Sequence, residues 1–142
     1  MRFLLGTVLK VRKLREDIAK AEAAAAQAAS HRAATDFARR EAALAGRPEP
    51  GTAEASQWLA ARAALLTMAS DVAVAREVAV ARDADAAAAM NRFATARRER
   101  EGVEDLAQRQ KEAELREREA AEQREADDRA GARLFAARED QS

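Results

Sequence analysis

Both prolines of this chain, Pro48 and Pro50, fall inside one seven-residue stretch, GRPEPGT, from Gly46 to Thr52. From Thr7 to Ala45 there is neither proline nor glycine, and between Ala53 and Ala137 there are only Gly102 and Gly131. Proline lacks a backbone donor and pushes the residue before it out of the helical region. A chain that gathers its helix breakers at one place is committed to two long helices and one connection. Gly46 is suited to the left-handed conformation that ends a helix. Thr52 is suited to cap the next one, with Glu54 in the first turn facing the positive helix end. Gly102 and Gly131 are local weak points, each costing about 1 kcal/mol relative to alanine, and not boundaries. The expectation is all-α: a first helix over about 5–45, a turn over 46–52 and a second helix over about 53–138. Together they form a single antiparallel coiled-coil hairpin with unequal arms.

Composition decides what such helices can bury. Hydrophobic residues make up 48% of the 142, but 41 of them are alanine, which leaves 27 larger ones. Alanine favours helix and buries little apolar surface. Few large apolar residues with 35% charged residues is the profile of long helices or a coiled coil, not of a compact core. The 25 basic and 25 acidic residues balance, so bulk charge names no partner. There is no cysteine, and hence no disulfide framework or thiolate metal site. The apolar run Phe3 to Leu9 is followed by Lys10, Arg12, Lys13 and Arg15 where a signal peptide needs small residues, and no stretch approaches a membrane span. The chain reads as cytosolic.

Heptad spacing sets the expected seam. In the second helix one row is Trp58, Leu65, Val72, Ala79, Ala86 and Phe93. The other is Ala61, Met68, Ala75, Arg82, Ala89 and Ala96. In the first helix the large residues select Leu4, Val11, Ile18 and Ala25 for one row, and Thr7, Leu14, Ala21 and Ala28 for the other. Phe37 and Leu44 then fall out of phase, which calls for a stutter near Ser30. At 1.5 Å per residue the arms are roughly 60 and 125 Å long. Folding at the turn puts Thr7 level with about Asn91, and everything beyond overhangs. Composition changes in the same region: 21 of the 33 residues from Arg97 to Arg129 are charged.

Chemistry has little to stand on. The only histidine, His31, has no second ligand and no placed nucleophile, and reads as a surface or seam residue. No glycine-rich loop could cradle a phosphate, and two helices form no catalytic cavity. The chain reads as non-enzymatic, with no cofactor and no metal. Trp58 is either a binding anchor or a seam residue, and partly exposed in both cases. The basic cluster at Lys10 to Arg15 suits an anionic surface, so a membrane-surface helix over residues 2–20 stands as a minor alternative. With no tyrosine and few aromatics to stack on bases, nucleic acid is disfavoured. A long helix without a packing partner is marginally stable, so the overhang points to an interaction with another protein.

The two ends carry a resemblance. The opening FLLGTVLKVRKLRED, with Phe3, Val8, Leu9, Arg12, Leu14, Arg15 and Glu16, resembles the start of the flagellar export protein family FliJ. LREREAAEQREADDRA, running from Leu115 through Asp127 and Asp128, is similar to that family's last helical segment. The proline-rich turn and the scarcity of large residues in the middle depart from the family pattern. The resemblance implies a component of the type III export apparatus that acts like a central stalk. It would couple the export ATPase ring to the export gate protein and assist substrate chaperones. It would work in the cytoplasm, peripheral at the inner face of the membrane. The residues expected to meet the ATPase are Val8, Leu9, Arg12, Arg15, Val103, Leu106 and Leu115. A second surface near the hairpin tip would include Phe37, Leu44 and Trp58. The alternative is a structural, dimerising coiled-coil scaffold.

Overall fold

The computed structural model describes residues 2–49, 51 and 54–141. Pro50, Thr52 and Ala53, and with them the expected Thr52 cap, lie outside the described residues. Two helices account for the structure, α1 (Arg2–Ala45) and α2 (Ala55–Asp140). They pack against each other as an antiparallel hairpin, α2 being much the longer. Among the described residues there is no strand.

The helix ends follow from backbone donors. The Gly46 N–H still donates to the Ala42 carbonyl at 2.9 Å, and the Arg47 N–H donates to Leu44 at 3.3 Å, tightening the last turn. Pro48 has no N–H with which to continue. No described glycine has a positive φ, so α1 stops without the left-handed glycine expected at Gly46. At the other end the Trp58 N–H donates to the Glu54 carbonyl at 2.9 Å, opening α2.

Contacts divide the chain into two units, one of residues 13–98 and one of residues 1–12 with 99–142. In the first unit, α2 turns inward Ala61, Leu65, Met68, Val72, Ala75, Ala79, Ala86, Ala89, Phe93 and Ala96. These are the two rows expected from spacing. Trp58 is 42% exposed, and Arg82 swings out to pair with Asp85 at 3.5 Å.

On α1 the seam differs from the expected one. The inward residues in this unit include Glu16, Ala19, Ala23, Ala26, Ser30, Ala33, Phe37 and Leu44. Leu14 and Ile18 are 60% and 51% exposed. Phe37 and Leu44 continue the row of Glu16, Ala23 and Ser30 at intervals of seven, so the helix has no stutter. Among the described residues the buried core is five alanines: Ala19, Ala23, Ala75, Ala86 and Ala89. Small residues let the helices approach closely. At about 0.8 kcal/mol per buried carbon, five methyl groups contribute only about 4 kcal/mol. The half-buried Phe37, Leu44, Leu65, Met68, Val72 and Phe93 add to this, and the helix propensity of alanine, arginine and glutamate supports both helices.

The register also differs. The Arg47 guanidinium donates to the Met68 sulfur at 2.8 Å, and Arg40 and Ala43 border a groove with Met68 and Asp71. The first turns of α2, from Ala55, therefore run past the end of α1. The connection between the helices covers about 18 Å at helical rise. Counting the loop as a point is what misplaced the arms.

In the unit of residues 1–12 and 99–142, the Arg12 guanidinium pairs with the Glu99 carboxylate at 2.6 Å. Leu5, Gly6 and Leu9 border a groove with Ala107, Gln110, Lys111 and Glu114. Arg100, Val103, Ala107, Gln110 and Glu114 are the half-buried residues of α2 here. From Leu115 to Gln141 every residue is exposed. The overhang exists, but it begins near Leu115 and not after Asn91.

Candidate protein interaction site

The open end belongs to the unit of residues 1–12 and 99–142. Its first component is the intrachain seam. Leu5, Leu9 and Arg12 of α1 are half-buried, as are Val103 and Ala107 of α2. The Arg12–Glu99 pair crosses this seam with side chains 30% and 47% exposed. Exposure of that order keeps its worth within about 0.2–1 kcal/mol.

The second component is an exposed apolar patch. Leu4, Val8 and Val11 of α1 are 67%, 38% and 43% exposed, and Leu106 of α2 is 55% exposed. Each immediately precedes a seam residue: Leu5, Leu9, Arg12 and Ala107. Residues one step before the seam share one flank of a helix. In an antiparallel pair the matching flanks of the two helices lie on the same side. Val8 and Leu106 therefore sit on one face, with Leu4 and Val11 beside them. On the other flank, Gly6 leaves a shallow groove of about 170 Å³ floored by Leu5, Leu9 and Ala107, with Gln110, Lys111 and Glu114 at its rim. Nothing lies within 4 Å of where a Gly6 side chain would begin.

The third component is α2 beyond Glu114. It carries Leu115 at 54% exposure, and Leu134 and Phe135 at 69% and 67%. Local pairs stiffen it, Arg129 to Glu125 at 2.7 Å and Gln123 to Asp127 at 3.1 Å. Such pairs are worth about 0.2–0.5 kcal/mol each.

The residues expected from sequence divide accordingly. Val8, Leu106 and Leu115 present exposed side chains at the open end, whereas Leu9, Arg12 and Val103 take part in the seam. Arg15 is exposed in the other unit. Phe37 and Leu44 are half-buried seam residues there, and Trp58 is exposed with the Arg62 guanidinium 6.0 Å from its ring centre. Sequence reasoning missed Leu4 and Val11 as surface residues because their size and spacing claimed them for the core. It also passed over Leu134 and Phe135, an adjacent apolar pair on a helix with nothing to cover it.

Elsewhere, charge acts locally. Asp36 accepts from Arg39 at 2.8 Å and from Arg40 at 2.9 Å, and these bonds hold its carboxyl below the ordinary carboxylate range. His31 is exposed, its carbonyl accepting the Thr35 hydroxyl at 2.9 Å. Among the described residues, no group of three or more metal-ligating side chains could hold an ion, and no helix is long and apolar enough to cross a membrane.

No curated protein and no solved structure matches the chain. A family model does, that of the flagellar FliJ protein, over residues 1–139. That match spans both helices and both units, and with it the chain belongs to the FliJ family, as a coiled-coil protein of flagellar export.

Proposed function

We propose that this protein is a non-enzymatic, central-stalk-like component that couples the flagellar export ATPase to the export gate. The observation that carries the reading is the open end: α2 continues exposed from Leu115 while an apolar patch of Leu4, Val8, Val11 and Leu106 stands beside its base. A helix of this length with no packing partner is marginally stable in water, so an end built this way favours a partner that covers it. Insertion into the pore of an ATPase ring would cover it on all sides. Exposed charge sets the approach and orientation, and the apolar knobs Val8, Leu106 and Leu115 supply most of the affinity. Leu9, Arg12 and Val103 contribute by fixing the two helices against each other. The chain hydrolyses nothing itself; it transmits the hydrolysis of the ring.

The gate protein and substrate chaperones are assigned to the other unit, where Trp58 stacked with Arg62 offers an exposed aromatic anchor. In this reading the protein is cytoplasmic and reaches the membrane only through its partners.

The test is binding of purified chain to the export ATPase by pull-down and stopped-flow. Replacing Leu106 and Leu115 with serine raises the dissociation rate and leaves the circular dichroism spectrum unchanged. Unchanged binding and unchanged motility would remove the stalk-in-ring reading. Loss of helicity would instead make those leucines part of the core.

A further inference from the structure

We propose that the first three turns of α1, residues 2–12, are a strap that detaches from α2 and recloses while α2 beneath it stays helical. The argument begins with local sequence. The 41 alanines are unevenly placed, and none precedes Ala19. The strap, RFLLGTVLKVR, instead has Gly6, Thr7 and Val8 in succession and Val11 beyond them. Glycine and β-branched residues are poor helix formers. The strap has no acidic residue, so no ion pair forms among its own residues and none in its first turn offsets the positive end of the helix. The segment of α2 that it covers is the opposite. Thirteen of the sixteen residues from Glu99 to Glu114 are Glu, Arg, Gln, Lys, Leu or Ala, all good helix formers. Arg100 also pairs with Glu104 one turn on, at 2.5 Å. The strap is therefore helical only while it is packed, whereas α2 is helical with or without it.

Packing holds the strap loosely. Among the described residues, all five buried ones lie in the unit of residues 13–98, and the unit of residues 1–12 and 99–142 has none. Leu5 and Leu9 are only half-buried, as are Val103 and Ala107 on α2. Gly6 contributes no side chain to the seam and leaves the shallow groove beside it. The Arg12–Glu99 pair is too exposed to tie the strap down firmly. Segments with few buried apolar contacts open at the low end of the free energies that a protein spans.

Opening changes what the protein presents. With the strap closed, the fully exposed run of α2 begins near Leu115. With it open, α2 is uncovered from about Glu99, roughly 24 Å earlier at helical rise. Val103 and Ala107 then join Leu106 at the surface. Any helix that docks on Val103 and Ala107 must first displace the strap, and its affinity is reduced by the fraction of chains that are closed. The strap is thus an autoinhibitory cover that sets the free length of α2. Its opening does not rest on the ATPase reading.

The experiment is hydrogen–deuterium exchange of the full-length chain. Amides of residues 7–12 should exchange together, at least about tenfold faster than those of residues 20–26 and faster than those of 103–112. Gly6→Ala should slow the strap about two- to fivefold, because it favours the closed, helical form. Gly102→Ala should leave the strap unchanged, because α2 is helical in both forms. A methyl group has room at either position. The natural chain has no cysteine, so Leu9→Cys with Ala107→Cys locks the strap when oxidised. The lock should remove the fast exchange of residues 7–12, and reduction should restore it. Circular dichroism confirms that each variant is helical. Exchange of residues 7–12 as slow as that of 20–26 overturns the proposal. So does fast exchange that the lock leaves untouched, which would be fraying within a docked helix. Equal slowing by Gly102→Ala also overturns it, because both helices would then melt together.

Discussion

Enlarging Ala23 should damage the protein more than removing Ile18, although Ile18 is by far the larger residue. Ala23 is 2% exposed in the seam, while Ile18 is 51% exposed. Ala23→Leu inserts three carbons where two backbones approach each other. Overpacking of this kind costs about 1–3 kcal/mol, because the helices must separate or the side chain must leave its preferred rotamer. Ile18→Ser strips apolar atoms that are half in water, and isoleucine and serine have similar helix propensity. Full burial of such a side chain is worth about 1.5–3 kcal/mol, so half of it bounds the loss at roughly 1 kcal/mol. For a chain of this size about 3 °C accompanies each kcal/mol. Thermal melts by far-ultraviolet circular dichroism should place Ala23→Leu about 3–9 °C below the parent and Ile18→Ser within about 3 °C of it. The reverse order would mean that the row of Leu4, Val11 and Ile18 is the true seam and that the alanine interface is wrong.

Register is testable in the same chain. Leu9→Cys with Ala107→Cys should oxidise to an intrachain disulfide, whereas cysteines at Val11 and Ala87 should not, because Leu9 shares a groove with Ala107 and Arg12 stands beside Glu99. Gly131→Ala should raise helix content and stability by about 0.5–1 kcal/mol, since a methyl group there meets nothing within 4 Å and α2 is helical throughout. Acid should loosen the end of α1. The Asp36 carboxyl is held below its ordinary value of 3.8 by Arg39 and Arg40, so its stabilising effect is present above that value and disappears as pH falls through the lowered one. Asp36→Asn should reduce the loss of helix content on acidification.

What the sequence made legible depended on residue size. The α2 seam could be read because Leu65, Met68, Val72 and Phe93 sit on it, so apolar spacing and burial coincide. On α1 they part company. The seam is carried by Ala19, Ala23, Ala26 and Ala33, which give no contrast among 41 alanines, while the conspicuous Leu4, Val11 and Ile18 face outward. Phe37 and Leu44 were the available clue: read backwards at intervals of seven they lead to Ser30, Ala23, Glu16 and Leu9. The overhang was legible from unequal arm lengths, but its starting point was not, because spacing alone cannot say that the first turns of α2 run past the end of α1. The exposed patch followed from the same misreading. Residues assigned to the core turned out to be the surface best suited to a partner.

The central claim is that the open end, and not the end near Trp58, is the surface that meets the export ATPase. Hydrogen–deuterium exchange of the full-length chain, free and with the ATPase ring, tests it most directly. Exchange in the free chain should be fast from Leu115 to Gln141, where every residue is exposed. On adding the ring, protection should appear at residues 4–12 and 103–135 and leave 55–70 unchanged. Protection confined to 55–70, or none at either end, would contradict the account.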